Sequence, residues 1–110
     1  MIELSIDLKT RPHKRAEFLK TLDQLLIDLR REKGNLYYGY EIRDDVVSQI
    51  HLHGEWETWE NLENHLRSEF FSILLGAIRV LCEKPVVRID NGSDIDGSDM
   101  IDKLYRKSDI

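Results

Sequence analysis

The stretch Glu55 Trp56 Glu57 Thr58 Trp59 Glu60 Asn61 Leu62 Glu63 Asn64 His65 Leu66 Arg67 Ser68, running on through Phe70, Phe71, Leu74, Leu75, Gly76 and Ala77, decides the fold. It reads as a strand end that delivers an aromatic, a capped turn, a short helix with a histidine on its flank, and a second capped, apolar helix. Thr58 can accept from the free N-H groups that open the first helix, and Glu60 in its first turn suits the positive end of the dipole. Trp59, Leu62 and Leu66 recur at helical spacing and face a core. His65 sits one position off that stripe, toward the space between helix and sheet. Ser68 caps the next helix, in which Phe71, Leu74, Leu75, Ile78 and Leu81 repeat until Lys84 and Pro85 stop it.

Working outward, residues 2 to 9 alternate: Ile2, Leu4, Ile6 and Leu8 fall on one side, Glu3, Ser5, Asp7 and Lys9 on the other. That pattern is a half-buried strand. Pro12 suits the first turn of a helix, and Phe18, Leu19, Leu22, Leu25, Leu26 and Leu29 carry one apolar stripe to about Arg31. Gly34 and Asn35 break it. Leu36 to Arg43 and Val46 to Trp56 read as the next two strands. A two-residue turn at Asp44 and Asp45 would mix Tyr40 with Gln49 and His51. A three-residue connection through Asp44, Asp45 and Val46 sets Tyr40 opposite Ile50 and Tyr38 opposite Leu52, so that Leu36, Tyr38, Tyr40, Ile42, Ile50, Leu52 and Trp56 share one surface. A fourth strand follows at Val86 to Asp90.

Strand, helix, strand, strand, helix pair, strand is the split βαβ order of an α+β, ferredoxin-like sandwich: a four-stranded antiparallel sheet with helices on one face. Residues 1–91 form this domain, and 92–110 are expected to be a C-terminal arm. In the arm, Asn91 to Asp99 are polar and flexible in composition, and Met100, Ile101, Leu104 and Tyr105 make a short helical stripe that needs a surface to dock on. The uncovered sheet face carries Tyr37, His51, His53 and Val86 among charges. A homodimer is therefore expected, sheet against sheet, with the arm reaching the neighbour.

At 110 residues with a net charge of −5, the chain is one domain whose average field repels a nucleic-acid backbone. The basic cluster of Lys9, Arg11, His13, Lys14, Arg15 and Lys20 is read as a solvated helix end. One cysteine, Cys82, gives no disulfide framework and reads as a small buried hydrophobe. No apolar run is long enough to cross a bilayer, and nothing at the N-terminus reads as a secretory signal, which suggests a reducing cytoplasm. His51 and His53 form a His-x-His strand pair that would need Glu55 or Asp7 to hold a metal; the reading taken is a polar contact and no metal. Trp56, Trp59 and His65 are each compatible with plain core filling or capping.

The segment from Trp56 to Ala77 resembles the antibiotic biosynthesis monooxygenase family, small dimeric α+β barrel proteins that include quinol monooxygenases. The pattern that carries the resemblance is the strand ending Glu55 Trp56 Glu57 Thr58, then Leu62, then His65 Leu66 Arg67 Ser68, then Phe71, Leu74 and Leu75, with Gly34 before the second strand. The resemblance implies a cofactor-independent oxygenase: a quinol-like or dihydroxyaromatic compound is held between helices and sheet, loses a proton, and reacts directly with O2, with no metal, haem or flavin. His65 would be the proton acceptor and Trp56 would line the pocket, with Tyr38, Tyr40, Phe18 and Phe71 as its walls. Haem-degrading relatives place an axial histidine on the third helix, and residues 69 to 82 contain none. Two alternatives stay open: a non-catalytic small-molecule-binding dimer, and an isomerase of a small carbonyl metabolite.

Overall fold

The computed structural model describes residues 1–44 and 46–90. Seven elements follow one another: β1 (Ile2–Lys9), α1 (Arg15–Leu29), β2 (Asn35–Asp44), β3 (Gln49–Trp56), α2 (Trp59–Leu66), α3 (Glu69–Leu81) and β4 (Val86–Asp90). The strands make one antiparallel sheet in the order β2-β3-β1-β4, with two long crossovers carrying the helices. This is the ferredoxin-like α+β arrangement that the alternation and caps specify. The arm and short helix expected over 92–110 lie outside the described residues.

Alternation on the strands and periodicity on the helices meet in a single core. Leu4, Ile6 and Leu8 of β1, Ile50 and Leu52 of β3 and Val87 and Ile89 of β4 are buried with Phe18, Leu22 and Leu26 of α1 and Leu74 and Ile78 of α3. Each such side chain contributes about 1.5–3 kcal/mol of burial, an upper figure because the unfolded chain is already partly collapsed. Cys82 lies in the same core, fully buried, and burial pushes its thiol up to about 12.

Two boundaries, and the cover over the ends of one strand, differ from expectation, each for a local reason. The first concerns the β2–β3 connection. The Asp44 carboxylate accepts from the N-H groups of Val46 at 2.9 Å and Val47 at 3.3 Å, and Ser48 takes a left-handed φ of 55°. The turn therefore runs on to Ser48, and β3 starts at Gln49 instead of Val46. Tyr40 then faces Leu52 and Ile42 faces Ile50, while Tyr38 faces Gly54. The slip is two residues, so each side chain keeps the face assigned to it.

At α1, the chain does not enter the helix at Pro12. The Arg11 N-H donates to the Leu81 carbonyl at 2.9 Å, and His13 turns with φ 65°, so the helix opens at Arg15. At the ends of β2, Leu36 and Ile42 share the core face but lie beyond the cover of the helices and are half exposed. The opposite face of the sheet carries Glu3, Ser5, Tyr37, Glu41, His51, His53, Glu55 and Val86, as the alternation requires.

Candidate functional site

The end of β3 and the start of α2 are fixed by three small features. Gly54 has no side chain because the Trp56 indole folds back over it: a Cβ there would meet ring atoms Cη2 and Cζ3 at 2.5 and 2.6 Å. Thr58, extended at φ −134°, accepts from the Asn61 N-H at 3.1 Å and donates to Asn61 Oδ1 at 2.8 Å. Gly34, with φ +80°, lets the connection after α1 pass so close that a Cβ would lie 2.2 Å from the Asn61 side chain. Its carbonyl accepts from the Glu57 N-H at 2.9 Å. The α1–β2 connection is thereby pinned to the start of α2, and that places Glu32 against His65.

His65 is fully buried near the end of α2. Nδ1 lies 2.8 Å from Glu32 Oε1 and Nε2 lies 3.0 Å from Tyr38 Oη. An ionised carboxylate only accepts, so Nδ1 carries the proton it donates to Glu32; the neutral ring then presents Nε2 as an acceptor for the Tyr38 hydroxyl. Burial, reinforced by the negative charge of Glu32, raises the Tyr38 pKa well above that of an ordinary phenol. Tyr38 is thus held as a neutral donor. The imidazole stacks on Trp56 at 4.6 Å between ring centres, and is flanked by Phe71 at 4.7 Å and Tyr38 at 5.2 Å.

Four of the six residues proposed from sequence therefore converge: His65, Trp56, Tyr38 and Phe71. Phe18 is buried in the core on α1, and Tyr40 turns toward α1, its hydroxyl donating to Asp23 Oδ1 at 2.7 Å. Among the described residues, no open mouth reaches these rings from solvent, because Trp56, Tyr38, His65 and Phe71 are themselves buried between helix and sheet. One polar atom there is left over. Trp56 Nε1 is buried and, among the described residues, has no hydrogen-bond partner. A buried N-H without an acceptor costs about 1–3 kcal/mol, which a ligand oxygen would relieve. Trp59 is different: its Nε1 donates to the Glu63 carboxylate four residues on.

Glu32 was not among the residues singled out from the sequence. It lies 33 positions before His65 in an irregular connection, outside any helical or strand period. Only the glycine two residues later marks the place, and it marks a bend without saying what the bend delivers.

A family model described as antibiotic biosynthesis monooxygenase matches residues 1–72. No curated protein matches the chain. Among solved structures, one of an antibiotic biosynthesis monooxygenase is similar at 18% identity, covering 84% of this chain and 99% of that one, with a TM-score of 0.75. A conserved protein of Methanosarcina mazei Go1 is similar at 19% identity, covering 84% and 92%, with a TM-score of 0.76. A protein of Nitrosomonas europaea, provisionally assigned as an antibiotic biosynthesis monooxygenase, is similar at 15% identity, covering 84% and 98%, with a TM-score of 0.76. At these identities the likeness establishes the shared fold. Among the described residues, no helix is long and apolar enough to cross a membrane.

Proposed function

Because this chain belongs to the antibiotic biosynthesis monooxygenase family, we propose that it is a cofactor-independent monooxygenase of a small quinol-like or dihydroxyaromatic compound. The observation that carries the reading is the buried Glu32–His65–Tyr38 chain beside an unpartnered Trp56 N-H. A phenolic proton passes to Tyr38 and on to His65 Nε2, or directly to Nε2 where the substrate oxygen displaces the tyrosine hydroxyl. Glu32 holds the ring in the tautomer that can receive it and stabilises the imidazolium that results. The Trp56 N-H donates to the substrate oxygen as its negative charge develops. The electron-rich anion then reduces O2: one oxygen atom enters the ring, the other leaves as water, and the substrate supplies all the electrons as it becomes a hydroxyquinone.

Entry requires a side chain to move, and Glu32 is the member of the chain that reaches the surface, its side chain 18% exposed. Displacing it would uncover His65 from the α1–β2 connection. The expected partner is a second copy of this chain on the open sheet face, where Tyr37 and Val86 are more than half exposed.

The test is O2 uptake by the purified protein with a panel of quinols, followed by His65→Ala. Loss of the proton acceptor is expected to lower turnover by about 10²-fold or more. Absence of O2 uptake across the panel, or unchanged turnover in His65→Ala, overturns the reading. The unpartnered Trp56 N-H, which suits the oxygen of any small ligand whether or not it reacts, favours one second reading, a small-molecule-binding dimer without turnover. Quinol binding with the ligand recovered at unchanged mass would support that instead.

A further inference from the structure

On the face of the sheet away from His65, Glu3, His53 and Glu55 converge. The pairing of β1 with β3 sets Glu3 directly across from Glu55, and Ser5 across from His53. One ligating atom from each of the three can be chosen so that all lie within 4.8 Å of one another. His53 Nε2 is 3.5 Å from Glu55 Oε2. Two ligands on one tetrahedral zinc, with bonds of about 2.0–2.1 Å, stand roughly 3.3–3.4 Å apart, so this pair is already near a coordination edge. The other ring nitrogen, Nδ1, lies 3.3 Å from Ser5 Oγ, the outer contact that fixes a ligating imidazole and leaves Nε2 for the ion.

The surroundings strengthen the case. All three residues are half-buried, unlike the exposed Asp7 and Glu41 on the same face. Carboxylates directly opposite on paired strands, as Glu3 and Glu55 are, repel. The cation of this face closest in register is Arg88, across from Ser5. His51, the other half of the His-x-His pair, is occupied elsewhere: its Nδ1 lies 2.7 Å from Asp7 Oδ1. The alternation that suggested His51 and His53 together thus yields two separate groupings, and Glu3 comes from a strand far away in sequence.

We propose that Glu3, His53 and Glu55 form a binding site for a divalent transition-metal ion of the zinc type, with one coordination position left open. One imidazole and two carboxylates are of intermediate softness, and the imidazole nitrogen suits a zinc-type ion, whereas magnesium and calcium take oxygen ligands and gain nothing from His53. The site is independent of the His65 chemistry, and it departs from the metal-free expectation of the sequence. It lies on the face proposed to meet a second copy, so occupancy is read per chain in whatever oligomeric state the full-length protein takes.

The experiment is calorimetric titration of chelator-treated, full-length protein with Zn2+ and, separately, Mg2+. One Zn2+ per chain is expected, bound at least tenfold more tightly than Mg2+. His53→Ala and Glu3→Gln should each weaken Zn2+ at least tenfold, and Ser5→Ala about tenfold through the loss of the outer contact. His51→Ala should leave the affinity unchanged. Circular dichroism reports folding, and Glu55→Gln replaces either variant that fails to fold. The proposal is overturned by no preference for Zn2+ over Mg2+, or by undiminished Zn2+ affinity in either folded ligand variant, which would move the ion to another group such as the acidic segment 94–99.

Discussion

Tyr38 Oη and His65 Nε2 lie 3.0 Å apart, on residues that are both fully buried, so each is the other's hydrogen-bond partner in a place water does not reach. Removing either one strands the other. Tyr38→Phe or His65→Leu should each lower stability by about 1–3 kcal/mol through the buried group left unpaired. The double variant, which removes both groups, should cost less than the two single changes added together. Urea unfolding of the four proteins measures the coupling, and strict additivity would show that the contact contributes nothing.

Glu32→Gln tests the role of the charge at the other ring nitrogen. A glutamine oxygen can still accept from Nδ1, so the ring stays oriented while the stabilisation of an imidazolium is lost. On the monooxygenase reading, kcat should fall by about tenfold or more with KM little changed. Steady-state O2 uptake separates the two parameters; a rise in KM alone would make Glu32 a contributor to binding only.

Two glycines should resist replacement for different reasons. Gly54→Ala drives a methyl group into the Trp56 indole, which must tilt toward His65, at a cost of about 1–3 kcal/mol and with a shift in tryptophan emission. Gly34→Ala meets both a left-handed backbone and the Asn61 side chain, and should lower the urea midpoint by at least as much. Gly76→Ala is the control, since nothing lies within 4 Å of a Cβ there and alanine favours the helix.

Alkaline pH should unfold this protein. The Cys82 thiol is pushed from 9.0 up to about 12 in the folded state, and burial raises Tyr38 as well. In both cases the folded chain keeps a proton that the unfolded chain gives up. Their contribution is complete below about pH 9 and is lost as the pH rises toward 12 for the thiol, with the phenol adding to the decline above about 10. Urea midpoints measured from pH 8 to 11 should fall, and Cys82→Ala should flatten the first part of the fall. A midpoint independent of pH over that range would contradict the burial of both groups.

Most of the fold was legible because its signals are local. The alternation of Ile2 to Lys9 fixed a strand and its faces, Thr58 and Ser68 announced two helices, and the period of Phe71 to Leu81 gave the buried stripe of α3 residue by residue. The β2–β3 turn was misjudged because its length is set by one carboxylate, Asp44, reaching forward to two N-H groups, and no periodicity encodes that reach. The candidate site divides in the same way. The positions of His65 and Trp56 at the flank of α2 and the end of β3 follow from spacing within one stretch, while their roles came from the family resemblance; Glu32 beside His65, and Glu3 beside His53, are brought together only by tertiary packing. The open pocket inferred from a histidine flanking an apolar stripe could not be decided from the stripe, because whether rings enclose a space or fill it depends on angles that composition does not carry.

The idle indole nitrogen of residue 56 makes this protein its own optical reporter. The chain has two tryptophans, and Trp59→Phe would leave a single emitter whose excited state is sensitive to any oxygen that arrives beside it. Compounds that enter the site could then be ranked by spectral shift in a cuvette, before any product is known.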